Sequence, residues 1–395
     1  MDFRFTEEQE NFRQEVRDFL HRELPSDWPF NGRLAEESDE WWDFTLSWLR
    51  KLGGKGWIAL TWPEEYGGKG RPLMDEVILS EEMAYRRTPG VQVWARWKMV
   101  APIIMGFGSE EQKRRHLPGI AKGEVTWCEG FSEPGAGSDL ASLQLRAEEQ
   151  KDSYILNGQK LFTSGAHRSD WMFLLARTDP EAMPQRRGIS FFLMDMKTPG
   201  ITVRPLVNLA NIDNFNEVFF DNARVPKENL VGEKNRGWYV AMALLNIERS
   251  AAGIASWYQR LQELLVQFVR ETKRHGVPLA RDPIIRHKLA EAAIEAQIAR
   301  MISYRVACMQ SQGLEVTSEG AMINVYGMEL MQRLANMGLQ ILGLYGQLEP
   351  GSKWAQLGGV LERDYLYNTG LTIGAGTSEI QRLVIAIWGL GLPRA

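Results

Sequence analysis

The order in which two periodicities follow one another along this chain constrains its fold more than any other feature. From Thr6 the stretch TEEQENFRQEVRDFLHREL sets Phe12, Val16, Phe19 and Leu20 at helical spacing, with Thr6 and Gln9 placed for a capping box. Trp41 to Leu52, Leu73 to Tyr85 and Ser109 to Ile120 repeat that style between Gly and Pro punctuation. Near Gly123 the texture changes to short β-rich runs, SYILNG, WMFLLAR, GISFFLMDM, GITVRPL and NEVFFDNARVP, separated by turn residues. After Gly237 the helical period returns over Trp238 to Arg274, Pro283 to Gln312, Ser318 to Gly343, Trp354 to Leu366 and Ser378 to Trp388. Helix, strand and helix in separate blocks predict a multidomain α+β protein and not an alternating βαβ sheet. The expected division is a helical domain over 1–123, a barrel-like β domain over 124–233 and a helical bundle over 234–395. A length of 395 residues also exceeds what one hydrophobic core usually serves. The GAGS and GLYG fragments supply no GxGxxG turn between strand and helix, which disfavours a Rossmann unit.

Composition removes several function classes. A formal charge of -4 argues against a surface built to neutralise phosphate backbones, so nucleic acid is not an expected partner. No stretch approaches the roughly 18 apolar residues of a membrane span, and the opening MDFRFTEE lacks an apolar signal core; a cytoplasmic location is the expectation. Cys128 and Cys308 are the only cysteines and stand far apart, which reads as two buried thiols. His21, His116, His167, His275 and His287 form no HxxxH or HExxH pair, and no metal site is expected.

The segment WCEGFSEPGAGSDLASL, from Trp127 to Leu143, gathers Ser, Pro and small residues just where the β block begins. Such a run exposes backbone N–H groups and lets an anionic or planar ligand approach the main chain; the alternative is a plain surface loop. The order of residues goes further. SEPGAGSD, then NGQKLFTSGA, then GTSEIQR near the end, resembles the acyl-CoA dehydrogenase family over nearly the whole chain.

That resemblance implies an N-terminal helical domain, a middle β domain, a C-terminal four-helix bundle, FAD as cofactor, an acyl-CoA substrate and tetrameric assembly. It also implies electron-transfer flavoprotein as the electron acceptor. By position, Phe131 and Ser132 resemble residues whose backbone lines the flavin ring, and Ser138 a serine at the phosphate and substrate side. Phe162 stands where the family usually has a tryptophan against the isoalloxazine, and Ser164 where a hydroxyl bonds the ring edge. Gln340, Gly343, Gly346, Thr377 and Glu379 match positions near the adenosine. Bland alternatives stand beside these: Phe162 as core, the glycines as helix ends.

Oxidation beside a thioester needs a base for a weakly acidic proton, and a buried carboxylate with a raised pKa suits that task. Many family members carry it immediately before the GT of the last motif, where this chain has Ala375; only the Ala375 backbone N–H remains to bond the thioester oxygen. A second group carries it on the first helix of the bundle, in a stretch resembling LLNIERSAAG, which makes Glu248 the candidate base and Arg249 a supporting residue at the substrate. Glu248 has Leu244, Leu245, Ala251 and Ala252 at helical spacing, so no cation lies in pairing register.

Two departures bear on assembly. Many homomeric members use an arginine in an RxxFG-like segment to reach the FAD pyrophosphate of the neighbouring subunit. Here Thr272 falls at that position and Pro283 at that of a glutamine that often follows, with Lys273 and Arg274 as nearby replacements. A homotetramer and a heterotetramer with a related chain are both open. So are three functions: a catalytic flavin dehydrogenase, a structural or FAD-binding subunit of a mixed tetramer, and a flavin oxidase. Trp41, Trp42, Trp48, Trp57, Trp62, Trp94 and Trp97 could shape a bulky acyl pocket but read first as core and interface residues.

Overall fold

A computed structural model describes residues 4–25, 28, 38–248 and 254–393; the side chains of 245–248 and 254 also lie outside the description. The N-terminal helices are α1 (Glu7–Glu23), α2 (Asp39–Gly54), α3 (Leu73–Tyr85), α4 (Val91–Phe107) and α5 (Glu110–Ala121). The strands β1 (Trp127–Gly130), β2 (Arg146–Glu149), β3 (Ser153–Lys160) and β4 (Trp171–Arg177) follow. Next come β5 (Ile189–Asp195), β6 (Ile201–Leu206), β7 (Phe215–Pro226) and β8 (Leu230–Val231). Helix then resumes with α6 (Gly237–Glu248) and α7 (Ile254–Glu271), and a hairpin of β9 (Lys273–Arg274) and β10 (Val277–Pro278) leads onward. The chain ends in α8 (Pro283–Ser311), α9 (Thr317–Leu342), α10 (Val360–Tyr367) and α11 (Ser378–Val384). The expected succession of helical, β and helical domains is present.

Local chemistry accounts for where elements start. The Thr6 hydroxyl accepts from the Gln9 N–H at 3.2 Å while the Gln9 side chain accepts from the Thr6 N–H at 2.9 Å, closing the expected capping box. Ser109 and Gln112 build a second box at α5, and the Asp282 carboxylate caps α8 ahead of Pro283.

Three expectations need correction. The run Trp238 to Arg274 does not stay helical to its end: α7 closes at Glu271 and the hairpin takes Lys273 and Arg274, while residues 249–253 lie outside the description. Trp354 to Leu366 is helical only from Val360, because Leu357, Gly358 and Gly359 all have left-handed φ of 52°, 66° and 76°. Cys308 is exposed, since it faces out of α8 where Val306 and Ala307 face in; Cys128 is buried as expected.

The chain packs as two compact units. One comprises residues 1–35, 71–88 and 249–395, so it joins α1 and α3 to the helices from α7 to α11. Its core runs through Tyr258 and Leu265 of α7, Leu289 and Ala296 of α8, Leu330 and Leu334 of α9 and Leu361 of α10. Arg13 of α1 bonds Glu81 and Glu82 of α3 at 3.1 and 2.9 Å, and Arg300 of α8 bonds Glu81 at 3.1 Å. These charges are paired, which is what makes their burial tolerable.

The other unit comprises residues 36–70 and 89–248. Its sheet has the order β6-β7-β3-β2-β4-β5-β8, with β1 pairing parallel to β4 ahead of β2. Period-two alternation puts Cys128, Tyr154, Leu156, Met172, Leu174 and Phe192 in one core cluster. On the opposite side of β1, β4 and β5 lie α4 and α6. Gly237, first residue of α6, lies so close to β5 that a Cβ there would sit 2.3 Å from the Ser190 carbonyl carbon. Trp48, Trp57, Trp62, Trp94 and Trp97 are buried, and the Trp97 indole donates to the Val125 carbonyl at 2.8 Å, as core residues do.

Candidate active site

Two loops, one leaving β1 and the other leaving β3, lie side by side. The Leu161 N–H, just past β3, donates to the Ser132 carbonyl, just past β1, at 2.8 Å. Thr163 and Gly165 then donate to the Asn216 and Asn214 carbonyls at 3.0 and 2.7 Å, fixing the second loop to the start of β7. Phe131, Ser132, Phe162 and Ser164 are thereby gathered. Phe131 is buried, edge-on to Phe173 and Phe191 at 6.0 and 6.2 Å. Phe162 is the reverse: 62% exposed, with φ of +57° and its ring edge-on to Phe215 at 6.3 Å. That rules out a core role, and a phenylalanine in left-handed backbone is a conformation to be accounted for by function. Around it, the N–H groups of Ser132, Phe162 and Ser164 and both serine hydroxyls donate no hydrogen bond among the described residues. The Thr163 hydroxyl is buried with no hydrogen-bond partner among the described residues. Such donors beside an exposed ring suit a planar, acceptor-rich ligand.

The base of the first loop is held by residues the sequence did not single out. Lys160 is wholly buried; its ammonium donates to the Phe131 carbonyl at 3.0 Å and to Glu133 at 2.7 Å. Glu133 in turn accepts from the Gln144 and Leu145 N–H groups at 2.5 and 2.9 Å. Burial pushes the Lys160 pKa down to about 8, against the pull of the Glu133 charge. The signal was there: Lys160 falls in period two with Tyr154 and Leu156, an inward position for a charge. Beside it, Arg96 of α4 bonds Glu129 of β1 at 2.7 Å, and burial pushes the Glu129 carboxyl up while Arg96 opposes that shift. Ser138 lies farther along the loop, past the Glu133–Ala136 bridge, and is exposed.

Val240, Ala241 and Leu244 of α6 are buried, and Glu248 is four residues beyond Leu244 as the last described residue of α6. The Glu248 side chain and all of Arg249 lie outside the described residues.

The remaining positions belong to the helical unit. Gln340 and Gly343 end α9, and the short turn to Gln347 folds back so that Gly346 is buried against Leu339. Two cations meet them: Lys288 contacts the Gln340 side-chain oxygen, and Arg274 donates to the Ile341 carbonyl at 3.1 Å. Thr272 continues α7 by bonding the Phe268 carbonyl, and Pro283 is the first residue of α8. Thr377 caps α11, and Glu379 in its first turn is held below the usual carboxylate range by its own backbone N–H and then by the Thr377 hydroxyl. Ala375 is exposed just before them, with φ of +55°. These are two groups and not one. The loop before α11 meets α9 at Gln332, which bonds Thr372, and Gln340 is eight residues further on, about 12 Å along the axis.

Residues 6–124, 128–223 and 235–390 match the acyl-CoA dehydrogenase N-terminal, middle and C-terminal domain families. A Mycobacterium tuberculosis acyl-CoA dehydrogenase, IpdE1, is 35% identical over 389 residues, 98% of each chain. Among solved structures, the Tcur3481-Tcur3483 steroid ACAD superposes with a TM-score of 0.89 at 31% identity over 100% of both chains. The ChsE4-ChsE5 complex from Mycobacterium tuberculosis gives 0.89 at 32% identity, again over 100% of both.

Proposed function

Since the chain belongs to the acyl-CoA dehydrogenase family of FAD-dependent oxidoreductases, we propose that it oxidises an acyl-CoA thioester to the 2,3-enoyl-CoA. The observation that carries this reading is the loop pair tied by Leu161 and Ser132, with unspent donors around an exposed Phe162. These residues fit FAD: backbone N–H groups of Ser132, Phe162 and Ser164 suit the carbonyl and nitrogen edge of the ring, and Phe162 its face. Bound FAD supplies the acceptor for the hydride that leaves the β-carbon. The chain's own residues do the rest. Glu248 takes the α-proton as general base. The Ala375 N–H orients the thioester oxygen and stabilises the charge that develops there. Ser138 and Arg249 contact substrate, while Gln340, Gly343, Gly346, Thr377 and Glu379 hold the adenosine side. Electron-transfer flavoprotein then takes the electrons. The substrate class we favour is a bulky, ring-bearing acyl group, supported by the structural neighbour that is a steroid ACAD.

Anaerobic bleaching of the visible flavin spectrum by a panel of acyl-CoA thioesters tests the reaction. Glu248→Gln should retain FAD and lose the bleaching, by at least about a hundredfold in rate. Intact bleaching in that variant would transfer the proton to another base. Oxygen uptake during turnover separates a dehydrogenase from an oxidase.

A second reading concerns assembly: a tetramer in which a second chain of the same fold completes the cofactor site, with α8 at the interface. It is favoured by the separation along α9 of the Gln340 and Thr377 groups, and by Thr272 where an arginine is usual. The heteromeric ChsE4-ChsE5 neighbour supports it.

A further inference from the structure

The bend that precedes α11 is built around one buried amide. Gln381 is 0% exposed, and its Nε2 donates to the Ala375 carbonyl at 2.7 Å. The same nitrogen lies 2.8 Å from where a Cβ on Gly376 would sit, and Gly376 has φ of +89°, so glycine alone leaves room for the amide under this peptide. The bend is closed on both sides. Ser378 N–H donates to the Thr372 carbonyl at 3.0 Å, and Gln381 N–H to the Thr377 carbonyl at 2.8 Å. Gln332 of α9 holds Asn368 and Thr372 at 3.0 Å each.

Ala375 itself is anomalous. An alanine with φ of +55° is disfavoured by its own Cβ, and nothing about its exposed side chain compensates. Its carbonyl is the group Gln381 holds, and its N–H has no hydrogen-bond partner among the described residues. The two groups lie on either side of the same Cα. Pinning the carbonyl while the backbone stays in the narrow left-handed well fixes where the N–H points.

We propose that Gln381 is a positioning residue: its amide locks the left-handed turn at Ala375 so that the Ala375 N–H is preset toward the thioester carbonyl oxygen. This rests on the acyl-CoA reading above. As the α-proton leaves, negative charge grows on that oxygen, and a donor aimed in advance stabilises it without reorganisation. Gln381 touches neither substrate nor cofactor in this role.

The test compares the FAD-loaded wild type with Gln381→Met, of similar volume but without a donor, and Gln381→Glu. The anaerobic rate of flavin reduction by acyl-CoA should fall about tenfold or more in Gln381→Met with KM little changed. The carbonyl stretch of a bound 2,3-enoyl-CoA should move back toward its value in water. Gln381→Glu guards against a variant that merely misfolds: a protonated carboxyl can donate to the Ala375 carbonyl and a carboxylate cannot. Its rate relative to wild type should therefore fall as pH rises through the range of a buried carboxyl. The proposal is overturned if Gln381→Met keeps the wild-type carbonyl stretch and rate, or if the Gln381→Glu ratio is flat with pH. If no thioester bleaches the wild-type flavin, the functional reading fails and takes this proposal with it. Bleaching in the wild type with indifferent variants would sink the proposal alone.

Discussion

His116 ties the stability of the sheet-bearing unit to a single neutral imidazole. Its ring packs edge-on against Trp127 and Trp171 at 5.3 and 4.7 Å, and its Nε2 is buried with no hydrogen-bond partner among the described residues. Burial, with the Arg115 charge adding to it, lowers its pKa from 6.5 to about 4. Between those values the unfolded chain binds the proton and the folded chain does not. The contribution is therefore fully present above the unfolded pKa and is lost as pH falls toward 4. It is on the order of 3 kcal/mol at about 1.36 kcal/mol per unit. Urea titrations across that window should show His116→Phe with a shallower acid-side loss than wild type. Equal slopes would assign the acid sensitivity to other groups. None of this was legible in the sequence, where five histidines stand apart. The pairing of Lys160 with Glu133 was equally hidden: one sits in a strand and the other in the SEPG turn, and only the fold brings them to 2.7 Å. The adjacency of the Phe131 and Phe162 loops has the same character, for no spacing rule announces the bond from Leu161 to Ser132.

Elements were more legible than residues because they depend on local chemistry. α1 and α5 start where their capping boxes sit, and the β runs each became a strand. α4 gave no usable periodicity, since VQVWARWKMVAPIIMGF is apolar on most of its surface and carries Pro102 inside. The stretch from Trp354 failed for the opposite reason. Its composition allows a helix, but close packing against the Pro350 main chain claims Gly359, where a Cβ would lie 2.6 Å from the Pro350 nitrogen and φ is +76°. Gly359→Ala therefore meets two costs together, backbone strain and a collision with main chain that has no side-chain freedom to yield. A loss of at least about 2 kcal/mol is expected. Gly351→Ala is the control, with φ of +89° but open space around its Cβ, so it isolates the strain. Denaturant midpoints of the two variants would decide it: if Gly359→Ala costs no more than Gly351→Ala, the approach to Pro350 does not set the helix start.

At the scale of the molecule, chain order and compaction diverge. α1 and α3 pack with the C-terminal helices, whereas α2, α4 and α5 pack with the sheet, a grouping no block of periodicity could reveal. α8 leaves one face unexplained by its own unit. Ile294, Ile298 and Met301 share a stripe at helical spacing, are 62%, 42% and 42% exposed, and line a groove of about 610 Å³ with Ala293, Gln297, Ile302 and Arg305. A contiguous exposed apolar face on a long helix marks a surface that another chain covers. Ile298→Glu puts a charge without a partner into such an interface while costing the single chain little, because the side chain is already exposed. Light scattering should show the variant's mass falling toward that of one chain with its circular dichroism unchanged; an unchanged mass would remove α8 from the assembly. The flavin content of the dissociated variant tests cofactor sharing separately. A cofactor completed by a neighbour should be lost along with it, since neither the Gln340 group nor the Thr377 group then has the other's counterpart beside it. FAD retained at full stoichiometry by single chains would leave the interface standing and end the shared-cofactor reading.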